Sequence, residues 1–567
     1  MSEKRVLVVG LDGATWDVAR PLMERGKLPT LRRLVEEGSH GPLRSVVHPY
    51  TAQAWTTLAT GCNQGRHRIF DFWERDFGRY GFRLLNASHR AVPSLWGLLS
   101  ERERRAVVVN VPQTYPPEEI AGVLISGRDT PGLGATYTYP PELKAELPRL
   151  AGEPYVIVPD DWLHTRRGRP DRARDELFRE VRVRFRVMRE LLRREDWDLA
   201  WFVVSATDGA AHFFWQHHDP AHPLHTPEGA SQYGDVVTEI YRRADEELGC
   251  LLADLPAGTA VWVVSDHGQG PQRPVAVYLN LWLAAQGLLA FADGNSGGRG
   301  RARGLAARAL RQVKGWAYDR LSFQNLTRVR RLFPDWLRSE LGQETFFAGI
   351  NWPRTRAYSE EVRGNVWINL KGRDPAGIVE PGAEYESLRE VIIQGLSDLR
   401  DPSTGEPLVR RVWRREELYR GPFVERFPDL VVESDTPEVF RPRGDYRGRE
   451  PVRLLSAEEL AGLKTQGVHR MEGVLVVRGQ GVRAGAEVQG ASLLDLAPTI
   501  LYMLGEPIPA HMDGRVLTEC FDPSWLAASP VQRESGGPRE GGGPGVDYTD
   551  EETRQVEERL AGLGYLG

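Results

Sequence analysis

The chain has 567 residues, 41% of them hydrophobic and 27% charged, with a formal net charge of −5. That length and apolar content support a core larger than one compact unit holds, so one main domain with insertions, or two domains, is expected. A balance this close to neutral excludes a partner selected by whole-chain charge; any basic site must be local.

The first apolar run, RVLVVG, is short and ends at Gly10 and Asp12. It lacks the longer apolar region and small-residue cleavage site of a signal peptide and reads as a first β-strand. A strand-like SVV precedes HPYTAQAWTTLATGCNQGRHRIFDF, which holds Thr51, Thr56, Thr57 and Thr60 at the start of a helical pattern. The runs RAVVVNV and GVLISG follow, then a helix over 171–194, LAWFVVSA, a helix over 233–254, AVWVVSD and, much later, GVLVVRG. Continuous apolar runs alternating with helices predict an α/β fold, a mostly parallel central sheet with helices on both faces. In such sheets the ligand crevice lies beyond the carboxyl ends of the strands.

The pattern changes between about 286 and 356, which reads as an inserted basic helical cap. It divides the core into 1–285 and 357–527, with a flexible linker and C-terminal helix over 528–567. Residues 299–331 carry ten Lys or Arg against one acid, Asp319. Leu310, Val313, Trp316, Ala317 and Leu321 recur there at helical spacing between Arg308, Arg311, Lys314 and Arg320. Such a basic amphipathic helix packs on the core as a lid, or docks on an anionic surface such as a lipid leaflet or a polyanionic substrate. Gly536 to Gly545 is dominated by Gly and Pro and reads as a linker. Cys62, Cys250 and Cys520 fit neither a disulfide framework nor a CxxC knuckle, and a reducing cytoplasm is the expected compartment. No apolar stretch reaches the roughly 18 to 20 residues that span a bilayer, and no nucleic-acid-binding motif or internal repeat stands out.

Three strand runs end in acid: Asp12, Asp208, and Asp266 with His267. Singly, an Asp after a strand is a cap or turn residue. Three at one edge of a parallel sheet make a cluster too negative to persist without cations. His212, four residues beyond Asp208, shares a helical face with it, so one cation can take both. A threonine hydroxyl coordinated to a cation loses its proton at neutral pH and serves as a nucleophile without a histidine base. Spacing alone does not choose among the four threonines. His217, His218 and His222 read as residues of a polar loop.

The segments VVGLDGATWD, TAQAWTTLATG with His67 after it, ATDGAAHFFWQ, VVSDHGQG, NLKGRDPAGIVEPGAEY and QGVHRMEGVLVVRG occur in this order. On them the chain resembles, over about residues 5–517, the alkaline phosphatase superfamily and its type I phosphodiesterase and nucleotide pyrophosphatase branch. The likeness is strongest to that branch's microbial group of predicted phosphohydrolases or phosphomutases. The resemblance implies that Thr51 is the nucleophile, that Asp208, His212 and His469 hold one metal, and that Asp12, Asp266 and His267 hold a second, to which Thr51 binds. By pattern alone His469 is a loop residue. The implied cofactors are two divalent ions, zinc first, with manganese also suited to a carboxylate-rich site. The implied reaction is hydrolysis of a phosphate ester, of diester or nucleotide type and carried by a small molecule, lipid or sugar, through a phosphothreonine.

The chain departs from its relatives in places. Gln64 and Arg68 stand where many have Pro and Gly, and HRIFDF offers Asp71 where nucleotide pyrophosphatases carry an Asn that donates to the transferred phosphoryl group. A phosphomutase of the same superfamily is the alternative. A sulfatase is disfavoured, because Cys62 to Arg66 has the Cys and Arg of the sulfatase motif but Gln64 in the middle. A non-catalytic binding protein is disfavoured because all six ligands are present. Specificity is expected from the cap and from the loops NVPQTYPP and GRDTPG.

Overall fold

The apolar runs become strands buried on both faces. The computed structural model describes residues 4–292, 347, 349–442, 448–535 and 545–562. Its central sheet contains β1 (Val6–Leu11), β2 (Ser39–Arg44), β3 (Ala106–Val109), β4 (Gly122–Ile125), β5 (Thr138–Tyr139), β6 (Leu199–Val204), β7 (Ala260–Val264), β8 (Glu472–Arg478), β9 (Ala486–Glu487) and β10 (Ala491–Ser492). The order is β9-β2-β8-β7-β1-β6-β3-β4-β5, with β10 also on β2. From β7 to β4 all pairs are parallel. β8 runs antiparallel to both its neighbours, and β5 antiparallel to β4.

The helices used below are α1 (Trp16–Glu24), α2 (Pro29–Glu37), α3 (Thr51–Thr60), α4 (Pro170–Arg194), α5 (Ala206–His218), α6 (Val236–Ala253), α7 (Ala383–Ser397), α8 (Leu496–Leu504) and α9 (Asp550–Gly562). Leu7, Val9 and Leu11 of β1 pack with α1, α2, α4, α5 and α6. Val6 and Val8 point the other way, into a cluster with Trp55 and Leu58 of α3 and Ile500 of α8. Because both faces are covered, these strands read as unbroken apolar runs rather than as alternation.

β1 contains one residue without a side chain, at the place where α3 crosses it. A Cβ on Gly10 would lie 2.5 Å from Trp55 Cη2 and 2.9 Å from Val203 Cγ2. Gly10→Ala is therefore expected to destabilise the protein by about 1–3 kcal/mol, the usual cost of overpacking a filled core. Urea unfolding followed by tryptophan fluorescence measures it, and an unchanged midpoint would show that α3 shifts freely over β1.

The strand before α3 ends at Arg44, short of the expected SVV. Val47 instead packs with Phe70, Tyr419, Phe427 and Val431. Val431 belongs to a second, four-stranded antiparallel sheet in the order Ala357–Tyr358, Asn365–Ile368, Leu430–Glu433, Arg411–Arg414, and α7 packs against its last strand. The basic stretch 299–331 and the linker 536–544 lie outside the described residues. Phe291 and Ile350, which flank the former, form an antiparallel bridge. Residues 550–562 form α9, which is docked: Val556 and Leu560 are buried, and Tyr548 stacks on Tyr115 at 5.8 Å. Among the described residues no helix is long and apolar enough to cross a membrane.

Candidate functional site

β1 lies between β6 and β7, both parallel to it, so the residues that follow these three strands meet at one edge. Asp12 follows β1, and its N–H donates to Val204 O at the end of β6. α5 begins immediately after β6 and places Asp208 in its first turn, with His212 one turn later. Asp266 and His267 follow β7 and lead into a two-stranded ribbon, Gly268–Pro271 with Gly467–Arg470, in which Gln269 is paired with His469. That register carries His469, some 200 residues distant in sequence, to the same edge. A Cβ on Gly467 would lie 2.2 Å from Ala211 O, so glycine is what allows the ribbon to press against α5. The contact is used, since Gly467 O lies 2.7 Å from His212 Nδ1.

Two groups of three side chains result. In one, His212 Nε2 is 3.1 Å and His469 Nε2 is 3.5 Å from Asp208 Oδ1, and the two nitrogens are 3.1 Å apart. In the other, His267 Nε2 is 3.6 Å from Asp12 Oδ1 and 3.4 Å from Asp266 Oδ2. The rings of His267 and His469 stack at 3.8 Å and join the groups. All six residues are buried. His212 Nδ1 faces Gly467 O, and His267 Nδ1 lies 3.0 Å from Gly268 O. A nitrogen facing a carbonyl carries a proton, so it is Nε2 of each ring that is turned toward the carboxylates. Both oxygens of Asp12, Asp266 Oδ2 and His267 Nε2 are buried without a hydrogen-bond partner. Acceptors packed against acceptors are costly unless a cation sits among them. The donor sets therefore fit divalent metal ions, and ligand-forming atoms of Asp12, Asp266 and His267, and of Asp208, His267 and His469, lie within 4.8 Å of one another.

The electrostatics show the same strain. Burial, then Asp266 and Asp208, hold the Asp12 carboxyl well above its ordinary range. Burial and Asp208 push Asp266 up to about 7. Burial also opposes ionisation of Asp208, but His212 and His469 outweigh it and hold this carboxyl well below the usual range. For His212, burial works against the charged form, yet Asp208 and Gly467 O raise it to about 9.

Thr51 opens α3 and is fully buried. It follows Tyr50, whose ring lies 5.4 Å from that of His469, so the positive end of the α3 dipole abuts the histidine cluster. Three further threonines lie along the same helix. Thr56 donates to Ala52 O at 2.7 Å, Thr60 donates to Thr56 O at 2.7 Å, and Thr57 Oγ1 lies 3.0 Å from His67 Nε2. Asp71 pairs with Arg363 at 2.8 Å, and that guanidinium, from the turn between the first two strands of the second sheet, lies 4.1 Å over the Tyr50 ring. His217 and His218 end α5, His222 follows it, and none of them belongs to either ligand group.

Sequence reading did not single out three neighbours of the site. Gln269 donates to Asp208 Oδ1 at 2.6 Å. Glu438 Oε1 lies 3.7 Å from His469 Nδ1. Arg128, from GRDTPG, reaches both Asp12 and Asp208. The position of Gln269, two residues after His267, was a usable signal; Glu438 had none.

The model of the type I phosphodiesterase / nucleotide pyrophosphatase family matches residues 6–443. No curated protein matches the chain. Among solved structures, the phosphonoacetate hydrolase of Sinorhizobium meliloti 1021, in complex with phosphonoacetate, is similar at 15% identity. The match covers 88% of this chain and 95% of that one with a TM-score of 0.51. Human ectonucleotide pyrophosphatase / phosphodiesterase 5 is similar at 12% identity, covering 89% of this chain and 95% of its own, with a TM-score of 0.46.

Proposed function

The chain belongs to the type I phosphodiesterase / nucleotide pyrophosphatase family of phosphoric ester hydrolases, and from that premise we propose that it cleaves a phosphate ester in two steps, with Thr51 as the nucleophile. The observation that carries this reading is the meeting of six buried side chains, Asp12, Asp208, His212, Asp266, His267 and His469, beside the N-terminus of the helix that Thr51 opens. Asp208, His212 and His469 would hold one divalent ion, and Asp12, Asp266 and His267 the other, with Thr51 as a further ligand. Zinc suits the Asp/His donors best, and manganese is the alternative. When bound, such ions supply Lewis acidity that lowers the pKa of a coordinated hydroxyl and offsets charge on phosphoryl oxygens.

The chain's own groups account for the rest. Thr51 Oγ forms a bond to phosphorus as the ester P–O bond breaks, and the departing oxygen takes up a proton. Water then attacks the phosphothreonine, the Oγ–P bond breaks, and Thr51 is regenerated. The backbone N–H groups of the first turn of α3, the helix that Thr51 opens, would offset negative charge that accumulates at its N-terminus. Among the four threonines, Thr51 is the one that stands at the first residue of α3, and this place, with the family likeness, supports it over Thr56, Thr57 and Thr60.

A panel of phosphomonoesters, nucleotide diesters, lipid and sugar phosphodiesters, and phosphonoacetate, assayed in ¹⁸O-water with metal content measured, tests the reading. One water-derived oxygen is expected in the phosphoryl product. A phosphoryl group returned to substrate without label would make the protein a mutase instead, and metal-loaded protein inert on every ester class would sink the proposal.

A further inference from the structure

Arg128 is buried in the loop after β4, and its Nη1 lies 3.9 Å from Asp12 Oδ2 and 3.7 Å from Asp208 Oδ2. These are the outer oxygens of the two carboxylates. Their other oxygens, both Oδ1, face His267 in one ligand set and His212 and His469 in the other. One guanidinium thus spans two carboxylates that belong to different sets. At these distances the contacts are ionic rather than hydrogen bonds, and one positive charge beside both outer oxygens favours the rotation of each carboxylate in which its other oxygen points inward.

The loop that presents Arg128 is held from the far end of the chain. Arg559 of α9 donates to Arg128 O at 2.8 Å, to Pro131 O at 3.0 Å and also to Thr130 O. The Tyr548 hydroxyl donates to Asp129 O at 3.0 Å. The carbonyls of residues 128 to 131 are therefore all engaged by two side chains of the C-terminal segment. Asp129 ties the same loop to the preceding one, accepting from Gln113 N at 3.0 Å and Tyr115 N at 2.7 Å. Tyr115 in turn stacks on Tyr548 and donates to Glu552 at 2.7 Å. A helix serving only to cover apolar surface would not need this set of directed bonds to one loop.

We propose that the C-terminal segment 545–562 is a working part of the metal centre: Arg559 and Tyr548 lock the loop that sets Arg128 across Asp12 and Asp208, which makes Arg128 a positioning residue for both ligand sets. The proposal rests on the two-metal reading above. Outer partners of ligating side chains typically contribute 10- to 100-fold to metal affinity or activity.

Zinc affinity of the full chain, measured by competition with a chromophoric chelator, tests it alongside thermal unfolding of the same variants. Arg128→Ala is expected to weaken zinc binding roughly 10- to 100-fold, and Arg128→Lys to recover part of the loss. Arg559→Ala should weaken it in the same direction but by less. Adding Arg559→Ala to Arg128→Ala should then cost nothing further, because a strap acting through Arg128 has no effect once Arg128 is gone. Arg554→Ala, on the same helix but paired with Glu551, should leave affinity unchanged. Lower thermal stability of Arg559→Ala with unaltered zinc affinity, additive losses in the double variant, or tighter zinc binding by Arg128→Ala would each overturn the proposal. Wild-type protein that takes up no stoichiometric divalent metal would instead end the metal reading itself.

Discussion

Thr51→Ala is expected to lower turnover on the best ester substrate by on the order of 10⁴-fold or more, the scale seen when a covalent nucleophile is removed, while two equivalents of divalent metal stay bound. The two effects separate because three side chains remain in each ligand set without Thr51. The substitution is also structurally mild. Thr51 is the first residue of α3, where alanine is a good helix former, and its hydroxyl is not the N-cap acceptor of the helix. Thr51→Ser, which keeps a hydroxyl at the same position, should retain part of the activity. Rapid quenching of the wild type with a ³²P-labelled substrate should trap label on the peptide containing Thr51, and the alanine variant should show none. Near-normal turnover by Thr51→Ala together with a dead Thr57→Ala would move the nucleophile six residues along α3.

The parts of this centre that were readable from the sequence share a physical origin. Asp12, Asp208 and Asp266 each follow a strand buried on both faces, and such strands announce themselves as unbroken apolar runs whose last residue marks the sheet edge. His212 was readable because helical periodicity relates it to Asp208 locally. His469 was not, because its placement depends on a ribbon register between two segments far apart in sequence, and only the family likeness pointed to it. β2 hid for a different reason. It contains Gly41 and Pro42 and forms because β8 on one side and β9 and β10 on the other supply its partners. Arg128 escaped notice because its importance comes from the two carboxylates it touches, neither of which is near it in sequence. The four-stranded sheet over 357–433 is built from strands of two to four residues, too short to carry a period.

Metal affinity should rise steeply with pH between about 6 and 9, and the metal-free protein should lose stability over the same interval. Both expectations follow from protons that the empty ligand cluster retains. Burial and Asp208 raise the folded-state value of Asp266 to about 7, while Asp208 and Gly467 O overcome burial to raise that of His212 to about 9. Both groups then bind protons more tightly in the folded chain than in the unfolded one, whose ordinary values are about 4 and 6.5. Where the folded state holds the extra protons, stability falls as pH rises. For Asp266 the stabilisation is complete below about 4 and gone above about 7; for His212 it is complete below about 6.5 and gone above about 9. Cations compete for the same atoms, so their uptake expels these protons and becomes more favourable as pH rises. Protein stripped with a chelator should therefore show a melting temperature that declines from pH 6 to pH 9. Readdition of zinc or manganese should restore it, with the largest recovery at the alkaline end. Calorimetric titration in buffers of different ionisation enthalpy should detect net proton release near pH 7. Asp266→Asn, which removes a titrating carboxylate and a ligand together, should flatten the pH dependence of the apo form and reduce bound metal. Metal-free protein that is equally stable at pH 6 and pH 9, and takes up metal without releasing protons, would contradict the buried, acceptor-lined cluster on which the assignment of both ligand sets depends.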